Sequence, residues 1–288
     1  MVGQSFRPDH IFSGGGDHIL AEWDLNSGEP SGVVAQIPGV IFSSLVIKEK
    51  NILLLGDNQG GLHVLDLNTR QELRYLKAHS EGVFHINWNS KYAHIYVFGA
   101  DGAFSVWDID TFECLCQKVI CKGKIRSSSL SKNGEFIALA GGDGIARYVS
   151  CKDFSIIHEW EAHRRSLNSI CFDPSGRFIL TGGKDAYLKI WDAQDENRLI
   201  KEVPAHNYAI YSIAFHPDGH LFATCSMDKT IKIWDARDFN FLLRIDREKY
   251  QGHRNSVNSL IWSDFNHYLV SGSDDRTVIV WKIEKITD

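Results

Sequence analysis

The sequence predicts an all-β chain made of seven copies of one short-stranded unit, and three observations carry that expectation. First, a cassette of a small residue, a turn Asp and a six-residue run ending in Trp recurs: SGGGDHILAEWD (13–24), TGGKDAYLKIWD (181–192), TCSMDKTIKIWD (224–235) and SGSDDRTVIVWK (271–282). Second, aligning the cassettes on their last large side chain gives Trp23, Leu65, Trp107, Tyr148, Trp191, Trp234 and Trp281, with gaps of 42, 42, 41, 43, 43 and 47 residues. A period of roughly 40–45 residues is that of a unit of four short strands. Third, no stretch shows the apolar spacing of a helix; short alternating segments lie between turn residues instead.

The elements follow in order within each unit. In YSIAFHPDGHLFATCSMDKTIKIWD (211–235) a strand runs into the tight turn HPDG, a second strand into MDKT, and a third ends at the Trp. HPDG (216–219) and DPSG (173–176) use Pro to preset one backbone angle and Gly to accept a positive φ. After Trp234, DARDFNFLLRID supplies a fourth, outer strand near Phe239–Ile245. The chain is thus one domain with units over about 1–37, 40–77, 82–119, 124–160, 166–203, 209–246 and 256–288. The segment MVGQSF serves as the innermost strand of the first unit. After Trp281 only KIEKITD remains, so the last unit is expected to lack its outer strand, with Ile283–Ile286 forming at most a stub. That open edge would suit a partner strand or a second copy of the chain.

Composition narrows the function classes. The 288 residues are 43% hydrophobic and 23% charged, a globular balance, and 31 Lys plus Arg against 36 Asp plus Glu give a formal charge of −5. A general nucleic-acid binder would need a basic excess, so that class is disfavoured. No apolar run reaches the roughly 18 residues of a membrane span, and the N-terminal residues resemble no signal peptide. The six Cys (114, 116, 121, 151, 171, 225) have neither disulfide-like nor zinc-like spacing. Reduced thiols in an intracellular protein, cytoplasmic or nuclear, are expected.

Five units also carry a dipeptide whose second residue lies about 28 residues before the aligned position: AH at 78–79, 162–163 and 205–206, GH at 252–253, and a degenerate KG at 122–123. On these residues the sequence resembles the WD-repeat (Trp-Asp repeat) β-propeller family across essentially its whole length. The resemblance implies a seven-bladed propeller. It also implies that the Trp, a Ser or Thr of the second strand, the turn Asp and the His form a buried hydrogen-bonded brace in each blade. Complete sets are His163, Thr181, Asp185 and Trp191; His206, Thr224, Asp228 and Trp234; and His253, Ser271, Asp275 and Trp281. The third repeat has His79, Asp101 and Trp107 but Val97 in place of the hydroxyl residue, and the first has Ser13, Asp17 and Trp23. The second (Gln59, Leu65) and fourth (Gly142, Tyr148) keep almost none of the set. These His–Asp pairs are read as structural rather than catalytic.

The resemblance also implies a docking rim where the strand-entry loops meet the turns between second and third strands. One position near the start of each innermost strand faces the channel mouth there: Phe42, Phe84, Arg126, Asn168, Tyr211 and Asn258, with Val2 the poorest alignment. The first four are 42 apart, and aromatics with Arg are the types enriched at binding hot spots. Arg164, Arg165, Lys184 and Arg254 add positive charge on rim loops, which favours an acidic peptide or protein partner.

No phosphate loop, nucleophile elbow, zinc motif or acidic calcium loop occurs, and no cofactor or metal is expected. His63 and His85 lie on strands without an evident carboxylate partner. The expected function is a non-catalytic scaffold that binds peptide or protein partners. The alternatives are a substrate-recognition subunit of a larger enzyme complex and a small-ligand or hydrolytic propeller.

Overall fold

The computed structural model describes residues 1–284. Its 27 strands form seven antiparallel sheets, each made of consecutive strands in simple order. Six sheets have four strands; the seventh, Val257–Trp262, Leu269–Ser273 and Val278–Trp281, has three among the described residues. The fold is all-β, seven blades of the propeller type. Of the expected stub, residues 285 and 286 lie outside the described residues, while Ile283 packs against the apolar cluster of blades six and seven. Among the described residues, helix is confined to a single 3-10 turn, Lys48–Lys50, and one α turn, Arg247–Tyr250. The latter, capped by Asp246 accepting the Lys249 amide at 3.0 Å, accounts for the longer spacing before Trp281.

Contacts divide the chain into two compact units. One holds residues 1–13, 23–29 and the described residues from 168 onward; the other holds 14–22 and 30–167. A four-stranded blade cannot bury both its faces alone, so each unit is held together by apolar layers between successive blades. In the second unit, Leu54, Val64, Ile86 and Val97 form the layer between blades two and three. Phe98, Phe104, Ile137 and Val149 form the next layer. In the first unit, Leu180, Ile190, Ile213 and Phe222 join blades five and six, and Ile233, Val257 and Leu269 join six and seven. Blade seven also meets the innermost strand of blade one: Val2 donates its amide to Ser259 Oγ at 3.0 Å, and Gln4 Oε1 accepts the Asp264 amide at 3.2 Å.

Strand pairing corrects one point of register. The third-strand residue at the cassette end faces a large, buried apolar side chain of the second strand: Leu65 (opposite Leu53), Trp107 (Ile95), Trp191 (Ile179), Trp234 (Phe222) and Trp281 (Leu269). In blade four it is Val149, opposite Ile137, and not the adjacent Tyr148. The outer-strand pairing confirms this, because its register slips just before that position in blades two to six, at 64/65, 106/107, 148/149, 190/191 and 233/234. The aromatic ring of Tyr148 mimics the Trp of the other blades one position early.

The two Pro-Gly turns form as expected. Gly176 and Gly219 have φ of 77° and 72°, and their amides reach back to Asp173 O at 2.9 Å and His216 O at 2.8 Å.

Candidate functional site

The braces fix the loops on which any docking surface depends. In blade six, Trp234 Nε1–H donates to Thr224 Oγ1 at 3.0 Å, and Thr224 Oγ1 lies 2.8 Å from His206 Nε2. His206 Nδ1 lies 2.9 Å from Asp228 Oδ2, which also accepts the Asn207 amide at 3.0 Å. With the His206 proton assigned to Nδ1, every group has a partner: Trp donates to Thr, Thr to His, His to Asp. Burial pushes His206 below its ordinary pKa, so it is neutral at neutral pH. Burial alone would raise Asp228, but donation from His206 and Thr230 holds its carboxyl well below the usual range.

Blade seven repeats the circuit through Trp281, Ser271, His253 and Asp275 at 2.8, 2.8 and 3.1 Å, and Asp275 accepts the Arg254 amide at 2.7 Å. In blade five, Trp191 donates to Thr181 at 2.9 Å, His163 is buried, and Asp185 accepts the Tyr187 amide at 3.3 Å. In blade one, Trp23 donates to Ser13 at 2.8 Å.

Blades two to four are braced differently, and a single substitution of position explains all three. In blade three, Val97 lies directly opposite Ser105 across the second and third strands, and the hydroxyl comes from Ser105. Ser105 Oγ accepts from Trp107 Nε1 at 2.8 Å and lies 3.2 Å from His79 Nε2, while His79 Nδ1 lies 3.1 Å from Asp101. Directly opposed residues of an antiparallel pair share a face with Cβ atoms about 5 Å apart, so the group reaches the same place from the other strand.

Blade four uses the same position. Arg147 lies opposite Leu139, and its guanidinium grips the turn residue Asp143 at 2.8 and 3.1 Å. In blade two, His63 lies opposite Leu55 and bridges Asp57 at 3.2 Å and Glu72 at 2.7 Å. The second and fourth repeats have therefore exchanged the standard set for carboxylate contacts of their own, to His63 and to Arg147. His63 has carboxylate partners after all.

The expected docking positions sort into three outcomes. In the unit that holds blades two to four, Phe42 and Phe84 stack with ring centroids 5.0 Å apart and planes within 10°. The Arg126 guanidinium lies over the outer face of this pair, 4.5 Å from the Phe84 centroid. All three side chains are half-buried. Lys124, which sequence reasoning passed over, joins at 5.4 Å from the same ring; its signal was the KGKIR run beside Arg126. Phe42 also packs against Gly82, where a Cβ would come within 2.8 Å of the ring.

Asn168 is withdrawn from the set. It is 4% exposed and its Nδ2–H donates to Ile210 O at 3.1 Å, so its amide ties the innermost strands of blades five and six. Tyr211 is half-buried against the apolar cluster of blades six and seven. Asn258 is exposed, with its amide bonded to Asp274. Val2 is buried. Arg164, Arg165, Lys184 and Arg254 all stand exposed, as do Lys122 and Lys124.

His85, next to Phe84, points elsewhere: its Nδ1 lies 2.8 Å from Ser128 Oγ, and burial pushes its pKa down to about 4. Ser128 is itself buried and also accepts from Asn87 Nδ2 at 2.6 Å, so this pair is a wall contact.

Seven blades of this type, with Trp–Ser/Thr–His–Asp circuits in blades three, six and seven, define a repeat propeller. The family model for the WD domain, G-beta repeat, matches residues 70–108, 154–192, 197–235 and 246–282, together more than half of the chain, and the protein belongs to that family. Among curated proteins it is similar to the pre-mRNA-processing factor 19 of Mus musculus, 26% identical over 57% of this chain and 33% of that protein. THO complex subunit 3 of Arabidopsis thaliana is 24% identical over 63% of this chain and 58% of its own length. An uncharacterized WD repeat-containing protein of Schizosaccharomyces pombe is 23% identical over 99% of this chain and 66% of its own. The chain thus spans about a third of the length of the processing-factor relatives.

Proposed function

We propose that the protein is a non-catalytic scaffold which holds an extended, acidic segment of a partner protein against the rim of blades two to four. The stack of Phe42, Phe84 and Arg126 carries this reading. Aromatic rings offer area at little entropic cost, and the Arg126 cation rests 4.5 Å from the Phe84 centroid. The N–H groups of a guanidinium lie in its plane, the geometry that meets a carboxylate in two parallel hydrogen bonds. Lys122 and Lys124 on the loop before blade four, and Arg164 and Arg165 on the loop before blade five, are exposed cations, whereas the turn acids Asp57, Asp101 and Asp143 are engaged in the braces. Braced turns hold the loops before the partner arrives, so little ordering entropy is lost on binding.

The names of THO complex subunit 3 and polyadenylation factor subunit 2, both similar to this chain, describe subunits of multi-protein assemblies, which agrees with a scaffold role.

The test is a peptide array of extended acidic sequences, probed with the wild-type chain and with Arg126→Ala. The variant is expected to lose capture by about tenfold or more while melting within about two degrees of wild type, because Arg126 sits at the surface of the stack. Equal capture by the two chains would refute the assignment.

A further inference from the structure

The turns joining the first and second strands of blades six and seven carry a group of side chains that no brace uses. His216 and Asp218 come from HPDG (216–219), and His267 comes from the turn before Tyr268; both turns belong to the same compact unit. The two Asp218 carboxylate oxygens point to different imidazoles. Oδ2 lies 3.7 Å from His216 Nδ1, and Oδ1 lies 3.7 Å from His267 Nδ1. The imidazoles meet edge to face at 4.9 Å, and one ligand atom from each residue falls within 4.8 Å of the other two. A tetrahedral ion with bonds of about 2.0–2.1 Å spaces its ligands about 3.4 Å apart, so small rotations would close the set around a metal.

Four further observations describe this cluster. His216 is held in place by Trp262, whose ring stands nearly perpendicular to it at 4.7 Å. Its Nδ1 accepts the Asp218 amide N–H at 3.1 Å, a single hydrogen bond that a metal at this nitrogen would replace. Asn266 and His267 are consecutive left-handed residues, with φ of 50° and 52°, and this sparsely populated backbone brings His267 to Asp218. The Asp218 carboxylate is exposed and accepts no hydrogen bond among the described residues. A second group of similar composition, Asp9, His10 and Asp24, behaves otherwise. There Asp9 is bonded to His10 at 2.7 Å and Asp24 accepts the amide and side chain of Asn26, so its carboxylates are already committed to the turns.

We propose that His216, Asp218 and His267 bind a divalent transition-metal ion, Zn2+ fitting best, which clips the first turn of blade six to that of blade seven. Two imidazole nitrogens and one carboxylate suit zinc, copper or nickel, whereas calcium and magnesium favour all-oxygen shells. Three protein ligands leave the fourth position to water or to a donor from a partner.

The experiment is calorimetric titration of the chelator-stripped full chain with zinc chloride in a non-coordinating buffer, with thermal melting alongside. One saturable equivalent is expected, with a midpoint that climbs as zinc is added and does not respond to magnesium. His267→Ala and Asp218→Asn should each weaken zinc binding by more than about tenfold, as loss of a direct ligand exceeds the effect of a supporting one. Both replace turn side chains outside the core, and metal-free circular dichroism matching wild type verifies their folding. Absence of a saturable equivalent, or variants that bind as tightly as wild type, overturns the proposal. Peptide capture at blades two to four is expected to be indifferent to zinc, so the two proposals fail separately.

Discussion

Moving the brace hydroxyl across a strand pair in blade three makes a sharp prediction. Ser105→Ala removes the acceptor of the Trp107 indole N–H, a 2.8 Å bond inside a fully buried environment. A buried donor left without a partner costs about 1–3 kcal/mol, and a lost hydroxyl leaves a cavity too small for water to repair the loss. Val97 lies directly opposite, fully buried, at the position that Thr181 and Thr224 occupy in blades five and six. Val and Thr have the same shape, so Val97→Thr in the Ser105→Ala background returns the hydroxyl from the strand where those blades carry it.

Urea unfolding followed by Trp fluorescence reads both chains. Ser105→Ala should lower the unfolding free energy by about 1–3 kcal/mol, and the double variant should come back to within about 0.5 kcal/mol of wild type. A neutral Ser105→Ala, or a double variant no more stable than the single one, would show that Ser105 does not replace the missing Thr.

Two further outcomes follow from buried polar groups. His206 and His253 are held below their ordinary value of 6.5 by burial, and His85 is pushed to about 4. The folded state then binds fewer protons than the unfolded chain below pH 6.5, so stability is full above that pH and falls as pH drops toward 4. His85 alone accounts for at most about 3 kcal/mol across that interval. The depressed carboxyls of Asp228 and Asp275 add a second loss only below about pH 3.8. Melting midpoints that stay flat from pH 7 to 5 would contradict the first step. Asn168→Ala should cost about 1–3 kcal/mol in the same urea assay through its lost bond to Ile210 O, while leaving peptide capture unchanged; weakened capture at full stability would return Asn168 to the docking surface.

How much of this was legible in the sequence depended on whether a role is written in one column of the repeat or shared between two. The blade count, the Pro-Gly turns and the standard braces of blades six and seven each sit in a single column, and the 42-residue period displays them directly. The braces of blades two to four were hidden because the loss and its replacement stand eight residues apart, on facing strands: Leu55 and His63, Val97 and Ser105, Leu139 and Arg147. Read column by column, each looks like a vacated position. Read as a cross-strand pair, each is an exchange. Side-chain direction was also hidden: Asn168 shares the spacing of Phe84 and Arg126, yet its amide turns inward because Ile210 O lies within reach.

The same logic explains why the stacked site falls where it does. Phe42, Phe84 and Arg126 are spaced by 42 residues each, and so are the cassette positions Leu65, Trp107 and Val149 of their own blades. Blades two, three and four therefore present their innermost strands in one register, which lets two rings lie within 10° of parallel at 5.0 Å. A slip of one residue would replace Phe42 and Phe84 by their buried neighbours Ile41 and Val83 and turn both rings to the other face. Register is in turn held by the braces. Asn58, beside the blade-two brace residue Asp57, accepts the Val40 amide at 2.8 Å two residues before Phe42. The rewired braces thus keep the turn next to the stack fixed without the standard Trp set, and the two rings keep one height because the strands that carry them keep one register.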